Sequence, residues 1–193
     1  MPSYSEQEII TGCKENNRVF QEMLYRQYYS LFMRICARYA MNGEDAEQLM
    51  NDGFLKIFNH ISGYKSAGSF EGWMKRIVVN NCLDYLKSKD TKNALKISHA
   101  IPADEIQEVT IQADVIKTLE FKEMLQMIHN LPSTTKTVFN MYVFDGFAHK
   151  EIAKMLDITE GTSSWHLHHA RNILQNLIKK NNAEGVKYEH KRI

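Results

Sequence analysis

Residues 149–171 read His149-Lys150-Glu151-Ile152-Ala153-Lys154-Met155-Leu156, then Asp157-Ile158-Thr159, then Glu160-Gly161-Thr162-Ser163-Ser164-Trp165-His166-Leu167-His168-His169-Ala170-Arg171, and most of the predicted architecture follows from them. Asp157 tolerates left-handed backbone dihedrals and therefore suits a tight break between two helices. Thr159 follows as a candidate N-cap, and Glu160 lies where the positive end of the next helix favours an acidic side chain. The residues expected to form a shared core are Ile152, Leu156, Ile158, Leu167 and Ile173. The pattern predicts a helix-turn-helix, whose second helix has the form that enters the major groove of DNA.

The composition indicates a helical protein of one or two domains. The 193 residues are 44% apolar and include only 3 prolines and 9 glycines, which favours long helices with real cores over disorder. The net charge of +1 is not that of a protein that coats nucleic acid nonspecifically. Cys13, Cys36 and Cys82 have no metal-ligand spacing and are expected to be reduced within helices. No signal peptide and no membrane-spanning apolar run is apparent, so we expect a cytoplasmic protein without membrane insertion.

The N-terminal part predicts a series of helices with one apolar face each. Ser5-Glu6-Gln7-Glu8 is a capping box for the first helix, and a second helix follows Asn16. Apolar residues recur every three or four positions from Asp45 to Ile61. The helix expected from Phe70 to about Lys89 also carries a polar row of Arg76, Asn80 and Asp84. Such a row is usually a solvated face, but it also suits a phosphate backbone and splayed bases.

The second part of the chain predicts a separate domain. Residues 91–113 lack a strong period and contain Pro102, so we expect a flexible linker there. A helix is expected from about Asp114 to His129, and another from Leu131-Pro132 to Asp145-Gly146. The expected fold is therefore all-α, with helical domains at residues 1–90 and 114–180 and a polar tail at 181–193.

Two separated stretches resemble the two conserved modules of bacterial RNA polymerase sigma factors of the extracytoplasmic-function (ECF) type, in the sigma-70 family. The first stretch resembles region two, through Asp45-Ala46-Glu47-Gln48-Leu49-Met50-Asn51-Asp52 and Phe70-Glu71-Gly72-Trp73. The second resembles region four, through Leu131-Pro132, Glu151-Ile152-Ala153, Glu160-Gly161-Thr162 and Ala170-Arg171. A helix-turn-helix alone occurs in many regulators, but these motifs together in one short chain are specific.

The resemblance implies a protein that binds core RNA polymerase, directs it to promoter DNA and helps to open that DNA. It implies no catalytic activity and no cofactor, and it suggests an anti-sigma factor as a possible partner. The residues carried over as core-polymerase contacts are Asp45, Glu47, Leu49, Asp52 and Lys56. Those carried over as contacts to the minus-ten element are Tyr64, Lys65, Arg76, Asn80 and Asp84. Those carried over to the minus-thirty-five element are Lys150, Thr162, Ser164, Trp165, His166, His168, His169 and Arg171.

The second helix of the helix-turn-helix departs from the family pattern. Family members often have Arg or Lys near Ser164, His166 and His169, where this chain has polar and aromatic residues. We therefore expect a lower electrostatic affinity for DNA and a promoter preference that differs from that of relatives. If the imidazoles face phosphates, binding should tighten as the pH falls through about 6.5. Trp165 is expected to be exposed, and Trp73 is expected to pack in a core.

Two other functions remain open from the sequence. The chain could be an autonomous transcriptional regulator, with an N-terminal sensing domain and a helix-turn-helix that binds DNA as a dimer. It could also be a metal-dependent enzyme that uses His166, His168 and His169, although no Cys or carboxylate flanks them at a ligand spacing. Nothing in the sequence resembles a glycine-rich phosphate loop or a nucleophile elbow, which disfavours an enzyme.

Overall fold

The computed structural model describes residues 4–95 and 126–189, with side chains described in 4–88 and 126–180. The described residues form helices and turns without a strand, in two compact units that lie within 4–95 and within 126–189. The all-α prediction is confirmed. No helix among these residues is long and apolar enough to cross a membrane. The predicted linker at 91–113 begins as a continuation of the preceding helix, and its residues from 96 onward lie outside the described residues.

The first unit contains helices α1 (Glu6–Lys14), α2 (Arg18–Tyr39), α3 (Gly43–His60) and α4 (Phe70–Leu95). The predicted capping box is present, since Ser5 Oγ accepts from the Glu8 N–H and Glu8 Oε2 accepts from the Ser5 N–H at 2.7 Å. Asn17 and Asn42 cap α2 and α3 through their side-chain oxygens. These caps satisfy N–H groups that a helix leaves without partners at its start.

Helices α2, α3 and α4 pack against one another around the core of the first unit. Gly53 lets α3 approach α4 closely, because a Cβ there would lie 3.2 Å from Val78 Cγ2. Trp73 and Ile77 are only half-buried. The buried face of α4 extends further around the helix than predicted, because Cys82 and Leu83 are also buried. The reason is that α4 contacts both α2 and α3 and so is covered on two sides. Other fully buried side chains here are Phe32, Met33, Met50, Ile57, Phe70 and Met74.

The second unit contains α5 (Ser133–Phe139), a π-helical turn (Asn140–Phe144), α6 (His149–Leu156) and α7 (Glu160–Glu189). Helix α7 packs against α5 and α6. The predicted core is confirmed in part, since Ile152 and Leu167 are buried while Leu156, Ile158 and Ile173 are half-buried. The core also takes in Ile128, Val138, Met141 and Ala170.

Helix α7 is longer than the sequence analysis predicted. The polar tail expected at 181–193 is helical as far as Glu189. The stretch after Lys180 contains Ala, Lys and Glu, which favour helices, and no proline. A single Gly185 does not end the helix, because one glycine costs only about 1 kcal/mol relative to alanine.

Candidate nucleic-acid interface

The turn between α6 and α7 has the predicted geometry. Asp157 adopts φ 55° and ψ 48°, in the left-handed region, and its N–H donates to Ala153 O. The Ile158 N–H also donates to Ala153 O, at 3.0 Å. Thr159 Oγ1 accepts from the Thr162 N–H at 3.0 Å, which confirms Thr159 as the N-cap of α7. These bonds close the end of α6 and the start of α7, so the two helices meet in a fixed arrangement.

The exposed side of α7 carries most of the residues predicted to meet the minus-thirty-five element. Trp165 is 58% exposed, as predicted, and lies flat against His169 with ring centroids 4.9 Å apart. His168 is exposed, and its Nδ1 lies 3.2 Å from Asn172 Nδ2. The other exposed members of the predicted set are Lys150, Thr162, Ser164 and Arg171.

His166 differs from the other residues predicted to contact the minus-thirty-five element, because its side chain lies between α7 and α5. Its Nδ1 lies 3.0 Å from Thr135 Oγ1 of α5, and the side chain is partly buried. This burial, with a smaller contribution from the charge of His169, lowers the pKa of His166. We therefore correct the expectation of a freely accessible, readily protonated imidazole at His166. Among the described residues no group of His, Cys, Asp and Glu is arranged to hold a metal ion.

Ser163 and His149 form a contact that the sequence analysis missed. Ser163 is fully buried, and its Oγ lies 2.9 Å from His149 Nδ1. Tyr142 stacks on the same imidazole, with ring centroids 4.5 Å apart. The sequence does contain an indication of this contact, since Ser163 has the helical spacing of the buried residues of α7. A hydroxyl buried there requires a polar partner from another element.

The loop between α3 and α4 is held from inside by Tyr64. The phenol is 6% exposed, and its O–H donates to Gly68 O at 2.8 Å. The ring packs against Phe70 and Trp73, with centroids 5.1 and 5.2 Å away. Lys14 Nζ donates to Tyr64 O at 2.9 Å. Tyr64 was predicted to contact DNA; the structure corrects this, since the ring supports the loop and Lys65 is exposed beside it.

The polar row of α4 divides into two parts. Arg76 and Asn80 are exposed on α4. Asp84 is also exposed, but its Oδ2 lies 3.2 Å from Lys56 Nζ of α3. Asn81, which directly follows Asn80 in the sequence, is buried and donates to Leu49 O at 3.0 Å. The structure thus brings Asp84 together with α3, whereas Asn80 and Arg76 lie about one and two turns nearer the start of α4.

Helix α3 carries the residues predicted to bind polymerase, but one of them points inward. Leu49 is 4% exposed and lies in the core, so its side chain does not form part of the surface. Asp45 Oδ2 accepts from the Tyr85 O–H at 2.6 Å, and Asp52 Oδ1 accepts from Gln48 Nε2 at 2.9 Å. Burial and the bond to Asp45 raise the pKa of Tyr85.

The exposed side of α3 also holds residues that were not among the predicted polymerase contacts. Leu55 is 60% exposed and lies off the apolar face of α3. Gln48 and Asn51 are exposed on the same helix, together with the predicted Glu47. Leu55 could have been found from the sequence, because it falls outside the three-and-four spacing of the buried residues.

Comparisons with known proteins agree on one family. Residues 24–91 match the family model described as Sigma-70 region 2, and residues 121–174 match the one described as Sigma-70, region 4. The ECF RNA polymerase sigma-E factor of Haemophilus influenzae is 21% identical over 182 residues, covering 91% of this chain and 96% of that protein. The ECF RNA polymerase sigma factor SigE of Mycolicibacterium smegmatis is 26% identical over 164 residues, covering 83% of this chain and 62% of that protein.

Solved structures with the same fold include two protein complexes. The sigma factor RpoE from Bartonella quintana, in complex with the anti-sigma factor NepR, matches with a TM-score of 0.59 and 15% identity, over 82% of this chain and 96% of that chain. CnrH, in complex with the cytosolic domain of CnrY, matches with a TM-score of 0.55 and 14% identity, over 91% of this chain and 97% of that chain. At these identities the likeness establishes the fold.

Proposed function

This chain belongs to the sigma-70 family of RNA polymerase sigma factors, of the extracytoplasmic-function type, and on this premise we propose that its two units divide promoter recognition among three surfaces. As an alternative sigma factor, it binds core RNA polymerase and directs transcription initiation at promoters. The observation that carries the proposal is the match of each unit to a different sigma region, in family order. Each of the three surfaces draws on a different set of exposed residues.

The polymerase contact is the exposed side of α3. Leu55 supplies an exposed apolar side chain, and polar residues surround it on the same helix. An apolar anchor within a polar rim is the usual composition of an interface centre. Leu49 supports α3 from the core instead of touching the partner. The residues assigned to this surface are Glu47, Gln48, Asn51, Asp52 and Leu55, with Asp45 and Lys56 at its edge.

The minus-ten contact comprises Lys65 on the loop and the exposed residues Arg76 and Asn80 of α4. Opening DNA requires unstacked bases to be held, at a cost of a few kcal/mol that protein contacts must offset. The bonds of Tyr64 preform the loop, so less conformational entropy is lost when DNA binds. The ion pair with Lys56 reduces the repulsion that Asp84 would exert on phosphates.

The minus-thirty-five contact comprises the exposed side of α7 and Lys150 of α6, with Ser164, Trp165 and His168 towards the base edges. In helix-turn-helix proteins the N-terminal residues of the second helix meet the bases in the major groove. Lys150, Thr162 and Arg171 are suited to backbone phosphates, which fix the register of the helix on the duplex. His169 supports Trp165 by stacking, and His166 supports α7 through Thr135.

The polymerase supplies the chemistry of nucleotide addition, so we assign no catalytic residue and no cofactor to this chain. We place the protein in the cytoplasm, where bacterial RNA polymerase works. An anti-sigma factor that covers the DNA-binding surfaces is a further proposed partner, by analogy with the RpoE–NepR complex.

The test is transcription in vitro with core polymerase from the same organism on a pool of genomic templates. The wild type should produce start sites that core polymerase alone does not. Leu55→Ala should weaken binding to core about tenfold, as expected for an interface anchor, and Asp52→Ala should reduce the number of transcripts. Val19→Ala removes another apolar side chain, 57% exposed at the start of α2, and should change neither measurement. If the wild type adds no start sites, the proposed function is wrong.

A further inference from the structure

The recognition helix α7 carries a stack of aromatic rings on its exposed side. Trp165 and His169 lie nearly parallel, at 15° with centroids 4.9 Å apart, and His166 meets the indole edge-on at 74°. The indole nevertheless remains 58% exposed. The indole is therefore accessible, and its orientation is fixed before DNA binds, because the rings of His166 and His169 restrict its rotation.

The orientation of this stack is fixed by contacts on the other side of α7. Leu167 and Ser163 are buried, and Ser163 lies 2.9 Å from His149 Nδ1 of α6. His166 is tied to Thr135 of α5 at 3.0 Å. These contacts leave Trp165 and His168 on the outward side, within the first three turns of the helix. This is the part of a recognition helix that approaches base edges.

The same part of α7 lacks the side chains that most often bind guanine. From Glu160 to Ala170 the sequence contains no Lys or Arg, the side chains that most often read the acceptor edge of guanine. The indole of Trp165 has one N–H donor and no acceptor, so most of its exposed surface is apolar. In the major groove the apolar group that a base pair presents is the 5-methyl group of thymine.

From these observations we infer that the Trp165–His169 stack reads thymine methyl groups in the minus-thirty-five element. The inference rests on the proposed role of α7 at that element and adds the base that it selects. Covering one methyl group should favour thymine over deoxyuridine about fourfold in affinity. Trp165→Ala should remove this preference, while Trp165→Phe should keep part of it.

The experiment uses holoenzyme assembled from core polymerase and the full chain, with a promoter duplex recovered from the genomic transcription pool. Each thymidine of the minus-thirty-five segment, on either strand, is replaced by deoxyuridine in turn, which removes the methyl group and leaves base pairing intact. Binding is measured for the wild type, Trp165→Ala and Trp165→Phe. Ile178→Ala serves as the control, because Ile178 is an apolar residue of α7, 47% exposed, outside the proposed DNA-contacting part.

The expected result is about a fourfold loss at one or two thymidines for the wild type and Ile178→Ala, and no loss for Trp165→Ala. If the wild type binds the thymidine duplex and every deoxyuridine duplex equally well, the inference is wrong. Promoter-specific transcription by the same holoenzyme would still support the proposed function. A fourfold loss that persists in Trp165→Ala would also overturn the inference. Amide exchange of peptides from residues 126–180, at the wild-type level in Trp165→Ala, shows that the second unit of the variant is folded.

Discussion

His166 links the pH to the stability of the second unit. The imidazole is packed between α5 and α7, and its burial lowers its pKa below the ordinary value of about 6.5. Between the ordinary pKa and the lowered one, the unfolded chain binds more protons than the folded chain. Stability therefore falls as protons are added. The contribution of the neutral imidazole is fully present above about pH 6.5 and is lost as the pH falls through the lowered pKa.

We accordingly expect His166→Asn to reduce the pH dependence of folding. Asparagine cannot be protonated in this range but can still reach Thr135 with a polar atom. Urea unfolding of the second unit, followed by amide exchange in peptides from residues 126–180, should show a smaller loss between about pH 7.5 and 5.5 for the variant than for the wild type. His168→Asn, at an exposed position, should behave like the wild type. If the wild type and His166→Asn lose the same stability over this pH range, His166 does not cause the pH dependence.

The burial of His166 also limits which histidines can account for the predicted tightening of DNA binding at low pH. Of the imidazoles that carried that prediction, His166 resists protonation because of its burial. His168 is exposed and His169 is half-buried against Trp165. Any gain in affinity on protonation therefore depends on His168 and His169, and it stays a prediction.

Single polar residues mark where the sequence analysis fell short. Tyr64 was predicted to contact DNA, and no role was predicted for Asn81 or Ser163, yet each is buried and hydrogen-bonded. The acceptors for Tyr64 and Asn81 are backbone carbonyls, of Gly68 and Leu49, and a carbonyl has no residue-specific signature. Such partners become visible only when the tertiary structure places them, so residue type alone suggested a surface position.

Polar bonds join α3 to α4 along one side of the first unit. Asn81 donates to Leu49 O from a buried position, while the Lys56–Asp84 ion pair lies at the surface with side chains 42% and 65% exposed. A buried hydrogen bond that is lost leaves a desolvated group behind, whereas an exposed ion pair is screened by water. The buried bond should therefore contribute more to the stability of this unit.

We predict that Asn81→Ala lowers the free energy of unfolding of the first unit by about 1–2 kcal/mol, and that Lys56→Met lowers it by less than about 1 kcal/mol. The measurement is urea unfolding followed by fluorescence in a Trp165→Phe background, which leaves Trp73 as the sole tryptophan of the chain. Trp73 lies in the first unit and packs on Phe70, so its emission reports on that unit. A larger loss for Lys56→Met than for Asn81→Ala would show that the surface pair dominates.

The starts of α1 and α7 and the end of α6 at Asp157 were predictable from the sequence, whereas the ends of α4 and α7 were not. Ser5 and Thr159 act within their own first turn, so a local motif is enough to place them. The ends of α4 at Leu95 and α7 at Glu189 lie beyond the predicted ends, because no glycine or proline stands where either helix was expected to stop. The two-sided burial of α4 likewise depends on the contacts with α2 and α3, which periodicity along one helix does not specify.

For the whole molecule, the distribution of charge decides how DNA can be bound. The chain has 24 Lys and Arg against 23 Asp and Glu, and the recognition helix has no Lys or Arg before Arg171. Phosphate neutralisation by basic residues supplies most of the nonspecific affinity of DNA-binding proteins. This chain therefore lacks the usual means of holding DNA alone. Its two DNA-contacting surfaces gain affinity when one polymerase holds both against the same promoter, since the second contact is then intramolecular.

We therefore predict that the free chain binds a fluorescent promoter duplex no more tightly than about 10⁻⁶ M at about 0.15 M salt. Addition of core polymerase should produce a tighter complex that depends on the minus-ten and minus-thirty-five sequences. Fluorescence anisotropy with the native duplex and with one whose two elements are scrambled provides the comparison. Nanomolar binding of the native duplex by the free chain, unaffected by polymerase, would favour an autonomous helix-turn-helix regulator, because affinity would then not depend on the two surfaces being carried together.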